Sequence, residues 1–170
     1  MPLPSTMTPI ATNTLTADTA TVTFSSIPQT YTDLMIVIQG RGSYADTSIN
    51  TYYQFNGDTG SNYSVTRLQG NGSTAVSNRG SSQTVGYITY VPANNATAGE
   101  LSANTINIMN YSNSTTYKTS ISRSAAPGSY AASFVGLWRS TAAITSIVLG
   151  CDAGNWKSGS SFTLYGIKAA

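Results

Sequence analysis

The chain has 170 residues, enough for one domain that buries roughly two thirds of the surface its unfolded form exposes, and it sets eight Lys and Arg against six Asp and Glu, a net charge of +2. With no histidine and a single cysteine, Cys151, it excludes an internal disulfide, a thiolate metal cluster and histidine acid–base chemistry. The basic residues never cluster, which argues against nucleic acid as a partner, because affinity for phosphate grows with the number of charges neutralised.

No apolar run reaches the length of a membrane span, and Met1 to Ile10 lacks the charged start and apolar middle of a secretory signal. The surface is therefore expected to be built from hydroxyls: Ser and Thr supply 49 of the 170 residues, joined by 11 Tyr. Thr and Tyr favour sheets, whereas Ser, Asn and Gly terminate them. So little charge also limits colloidal repulsion, which suits a protein packed into an assembly better than one free in dilute solution.

Residues 1–14, "MPLPSTMTPIATNT", hold three prolines and no periodicity, and read as an extended N-terminal arm preceding a β-sandwich domain over 15–170. Leu3, Met7 and Ile10 are its apolar residues, and an ordered arm must cover them, either on a neighbouring subunit or on its own domain. They are the candidate contacts to a neighbouring subunit or a larger assembly.

Alternating and continuous apolar runs then predict strands over 20–24, 34–38, 49–55, 84–91, 101–109, 118–122, 131–138, 144–149 and 161–167. Residues 63–68 carry a helical flavour, too short to stand alone. In the last run Phe162, Leu164 and Gly166 share one face, opposite Thr163, Tyr165 and Ile167. A chain that stops shortly after such a strand leaves no tail for tethering, so activity is expected in the folded body or at the other end. About nine short strands, no helix and a long connection over 57–83 predict an all-β fold. A jelly-roll-like β-sandwich of eight to ten antiparallel strands fits best.

"FNGDTGSNYS" places Asp58, Ser61 and Asn62 within five residues, but its acidic density is too low for a calcium loop. Asn56-Gly57 instead signals a tight hairpin turn, whose central residues both need positive φ. The serines of "RGSS" and "GSS" have no base beside them. Glycoside cleavage would need two of Asp33, Asp46, Asp58, Glu100 and Asp152 to meet across the fold. No catalytic, metal or cofactor-binding residue is assigned, and the five N-x-S/T triplets are expected by chance in so Asn-, Ser- and Thr-rich a chain.

Tyrosines could stack on sugar, and "TYYQF" makes Tyr52 and Tyr53 the candidate glycan contacts. Strand alternation sets Tyr52 opposite Tyr53 and Tyr87 opposite Ile88, so such a platform would be split between faces. Trp138 reads as a core anchor, and Cys151 as a small residue packed near a strand end.

Four stretches in this order, "SSIPQTYTDLMIVIQGR", "YYQFNGDTGSNYS", "IMNYSNSTTYKTS" and "LWRSTAAITSIVLGCDAGNWKSGSSFTLYGI", make most of the chain after Ala20 resemble small structural proteins of tailed bacteriophages, including those infecting cyanobacteria. Similar domains serve as capsid decoration (cement) proteins, head fibres and tail-fibre tips. The resemblance implies a virion protein assembled in the host cytoplasm and supplies no catalytic residues. The expectation is a non-enzymatic cement protein that binds the major capsid protein as a homo-oligomer, with a trimer favoured. The alternative is a fibre module that binds host-surface glycan.

Overall fold

The computed structural model describes residues 6–168. They form strands β1 (Met7–Thr14), β2 (Thr21–Phe24), β3 (Asp33–Gln39), β4 (Ser48–Phe55), β5 (Tyr63–Gly70), β6 (Ala75–Gln83), β7 (Gly86–Pro92), β8 (Ala103–Met109), β9 (Lys118–Ala126), β10 (Tyr130–Trp138), β11 (Ile147–Cys151) and β12 (Ser161–Ile167). Every pairing is antiparallel, in one sheet ordered β1-β12-β3-β8-β9-β10-β5-β6 and a second ordered β2-β11-β4-β7.

The fold is therefore the expected all-β sandwich. Strands β1 to β4 alternate between the sheets, as do β7 with β8 and β11 with β12. Set aside two hairpins and the remaining eight strands wind in jelly-roll-like fashion, β1-β12-β3-β8 against β2-β11-β4-β7. The two hairpins, β5–β6 and β9–β10, both extend the larger sheet beyond β8 and pair with each other through β10 and β5.

Period-two alternation sorts the side chains between core and solvent. Leu34, Ile36 and Ile38 of β3, Ile106 and Ile108 of β8, and Phe162 and Leu164 of β12 meet Phe24, Tyr53, Phe55, Ile147 and Leu149 of the smaller sheet in one buried cluster. Trp156 bridges Thr19 and Gly42 and packs edge-on against Phe162, with ring centroids 4.9 Å apart. Trp138 and Cys151 are buried as expected. Ile144 is buried too, but in the loop before β11, so the strand expected over 144–149 begins only at Ile147.

Three segments differ from the sequence reading. Residues 7–14, read as an arm, form edge strand β1, paired along its length with β12; the register slips between Pro9 and Ala11, and an edge tolerates a proline that a central strand would not. Residues 7–14 of the arm thus lie on their own domain, as part of its larger sheet. Residues 63–68, read as a helical turn, belong to β5, whose Tyr63 and Val65 point inward while Thr66 and Leu68 are exposed. Strand β6 fell within the supposed long connection because it is almost wholly exposed and carries no apolar alternation.

The extension is locked to the smaller sheet by Tyr53. Its ring stacks on Phe55 at 4.5 Å, and its hydroxyl lies 2.7 Å from Ser120 Oγ on β9. The slot exists only because two strands present glycine: a Cβ on Gly86 would fall 2.0 Å from the ring, and one on Gly136 would fall 2.3 Å from the hydroxyl. Farther along β9, Ser122 and Ser124 donate to the carbonyls of Ile88 and Tyr90, so hydroxyls cap the outer edge of β7.

Overpacking this slot is costly. Gly136→Ala is expected to lower stability by about 2–3 kcal/mol in urea unfolding. Combining it with Tyr53→Phe, which removes the clashing oxygen, should cost less than the sum of the two single changes by at least about 1 kcal/mol. Strict additivity would show that the hydroxyl does not fill the space above Gly136.

Candidate functional site

The sequence-predicted contact residues do not converge. Leu3 lies outside the described residues. Met7 is exposed at the start of β1, whereas Ile10 packs against the core cluster and is spent on its own domain. Tyr53 is 1% exposed and offers nothing to a glycan. Burial pushes its phenol up to about 12, against the opposing hydrogen bond with Ser120. Tyr52 is half-buried on the outer face of the smaller sheet, its ring covering Gly150, where a Cβ would lie 2.4 Å away.

The loop after β4 is a turn, as its residues suggested. Asn56 and Gly57 have φ of 53° and 67°, and Asp58 N donates to Phe55 O at 2.9 Å. It is not a hairpin, because β4 and β5 belong to different sheets. Asp58 caps the crossing: it accepts from Gly60 N at 2.8 Å, Asn62 Nδ2 at 2.9 Å and Trp138 Nε1 at 2.7 Å. Burial works against its ionisation, yet these three donors outweigh burial and hold the carboxyl below the ordinary range.

Other carboxylates cap loops too: Asp18, Asp33 and Asp46 accept from the backbone N–H groups of Ser158, Asn110 and Thr47. Among the described residues no three His, Cys, Asp or Glu side chains gather as metal ligands would. The Cys151 thiol, buried and close to Asp152, is pushed up to about 12 and stays protonated at neutral pH, a poor nucleophile. Lys118, 1% exposed, spends its ammonium on the carbonyls of Thr116 and Thr141, at 2.7 and 3.2 Å, tying together the loops on either side of β9–β10.

Two further surfaces come largely from the inserted hairpins. On the outer face of the larger sheet, Met109, Ile121, Val135 and Leu68 are 40–60% exposed on the adjacent strands β8, β9, β10 and β5. Val135 stands directly opposite Ile121, while Met109 and Leu68 are each one pair-step away on opposite sides. These offsets draw a diagonal apolar stripe, since diagonal neighbours on a sheet face lie within roughly 7–8 Å. The flanking positions are Thr66, Thr105, Asn107, Thr119, Arg123 and Ser133.

The second surface is a groove of about 280 Å³ between the β5–β6 hairpin and β7, the edge strand of the smaller sheet. Arg67, Asn78 and Gln83 line it from the hairpin, Asn50 and Tyr87 from the smaller sheet, and Phe134 from β10. Tyr87 is the register neighbour of Tyr52, so the expected tyrosine site lies one strand away from this groove. Arg67 escaped the sequence reading because residues 63–68 did not read as a strand. Nor was the inward serine row of β9 singled out, although every second residue from Ser120 to Ser124 is serine.

No protein-family model matches the chain, and no curated protein matches it in sequence.

Asp58 sets an acid limit on the fold. Because its folded-state pKa is depressed, its contribution is present above about pH 4 and is lost as pH falls through the folded value. Asp58→Asn is expected to cost about 2 kcal/mol at pH 7 in chemical unfolding. The same change should cost clearly less at pH 3; an equal loss at both would contradict the role assigned to the carboxylate.

Proposed function

We propose that this chain is a non-enzymatic structural protein of a phage virion, a decoration protein that binds the assembled head as a homo-oligomer, with a trimer the expected state. The observation that carries this reading is the apolar stripe Met109–Ile121–Val135–Leu68 on a broad sheet face. Contiguous exposed apolar area flanked by hydroxyls is what a docking face requires: a dry centre and a rim that hydrogen-bonds. The resemblance of four sequence blocks to phage structural proteins supports the same reading.

The mechanism is thermodynamic. A subunit that binds the assembled lattice and not its dissociated parts stabilises the lattice by mass action. An oligomer that engages several lattice subunits at once multiplies the effect without new contacts of a different kind. The stripe supplies the apolar area, while the capped loops and the Tyr53 lock keep the face rigid, so little ordering entropy is lost on docking.

The groove beside Arg67 favours a second reading, a fibre module that recognises glycan on the host surface.

Quantitative mass spectrometry of purified particles separates the two: hundreds of copies per particle fit a decoration protein, a few dozen or fewer a fibre. For the stripe itself, the Ile121→Glu, Val135→Lys double variant, which sets opposite charges directly across from each other, is expected to lower head occupancy at least about tenfold. Its unfolding midpoint should stay near wild type, because both side chains are exposed. Unchanged occupancy would rule the stripe out as the docking face.

A further inference from the structure

The groove between the β5–β6 hairpin and β7 has a polarity that the docking role does not use. At one end stands Arg67, whose Nη1 donates to the Tyr90 hydroxyl at 2.8 Å and whose Nε is enclosed without any protein acceptor. No carboxylate is among the lining residues. Asp152, outside the lining, is bonded to Asn50. Nε is out of reach of a ligand, but the outer guanidinium donors not spent on Tyr90 can receive a carboxylate.

The rest of the lining narrows the ligand. Asn78 offers a side-chain amide that is both donor and acceptor, and Gln83, whose Nε2 donates to Ser81 O at 2.9 Å, offers its amide oxygen as an acceptor; both suit hydroxyl groups. Tyr87 and Phe134 supply aromatic surface. The volume of about 280 Å³ is near the lower end of small-ligand pockets, roughly 300 Å³. A simple anion would leave the amides and the aromatic wall unused, and a neutral sugar would leave Arg67 unanswered.

We propose that this groove binds a carboxylate-bearing sugar, a uronic acid unit, with its carboxylate on Arg67, its hydroxyls on the amides and its apolar ring face against Tyr87. This site lies on the opposite side of the extended sheet from the apolar stripe: Arg67 and Asn78 face inward on β5 and β6, while Leu68 and Val135 face outward. The two surfaces are therefore open to separate tests.

Two-dimensional NMR titration of the full chain at low salt with methyl β-D-glucuronide and methyl β-D-glucoside, which differ only in the carboxylate, tests the proposal. The glucuronide is expected to shift amides of β5, β6 and β7 with millimolar affinity, and the glucoside to bind at least about tenfold more weakly. Arg67→Gln should remove the difference, and Arg67→Lys, which keeps the charge without the fork, should restore only part of it. Asn78→Ala, a milder change at an exposed position, should weaken the glucuronide severalfold and guards against a folding defect in the arginine variants. Arg123→Gln, on the outer face, should change nothing. Equal binding of both sugars would overturn the proposal. So would silence of the groove amides at about 50 mM ligand, or an identical response to acetate, or a response confined to acidic peptides. None of these outcomes depends on how many copies a particle carries.

Discussion

The structure turns on how the overhanging part of its larger sheet is fixed to the smaller one, and the Tyr53 ring stands at the centre of that seam. An eight-stranded sheet faces a four-stranded one, so part of the larger sheet must pass beyond its partner. At that margin β7 would present unpaired carbonyls, and an open sheet edge is costly to bury and prone to mispair. The inward row of β9 resolves the problem with small hydroxyls: Ser122 and Ser124 cap β7, and Ser120 meets Tyr53 at 2.7 Å. Glycine at 86 and 136 is the corollary, since the ring occupies the volume in which any side chain there would stand. Hydrogen bonds at this seam fix its geometry more tightly than apolar contact alone would, because each buried group has one partner that satisfies it.

With the seam fixed, the two hairpins become a platform grafted onto a jelly-roll-like scaffold. Three of the four residues of the apolar stripe, and Arg67, Asn78, Gln83 and Phe134 of the groove, lie on inserted strands. The eight scaffold strands supply most of the core. Such a division is familiar in principle: scaffolds carry stability, and surfaces added to them carry function. It also explains why so few charges suffice. Four of the six carboxylates accept from backbone N–H groups at loops, where they hold the loop backbone in place.

What could be read from the residues follows the same division. Scaffold strands announce themselves because one face is buried: the alternation in "SFTLYGI" and the continuous apolar run "LMIVI" led directly to β12 and β3. The split of Tyr52 from Tyr53 was legible for the same reason. Strands β5 and β6 were not, since their solvated faces impose no pattern. "AVSNRGSSQ" has no apolar period to detect, and the pairing that makes it a strand is supplied by β5. Edge strand β1 hid behind its proline. Arg67 thus became visible as part of a site only when register placed it opposite Asn78 and beside Phe134.

In the proposed decoration role, the protein docks through the outer face of its larger sheet. Cryo-electron microscopy of the intact particle tests it most directly, because it places the chain and its orientation together. Density for the sandwich is expected on the head surface, with Ile121 and Val135 turned toward the shell and β6 near the periphery of the contact. Density found only at a fibre end, or on the head with that face turned to solvent, would contradict it.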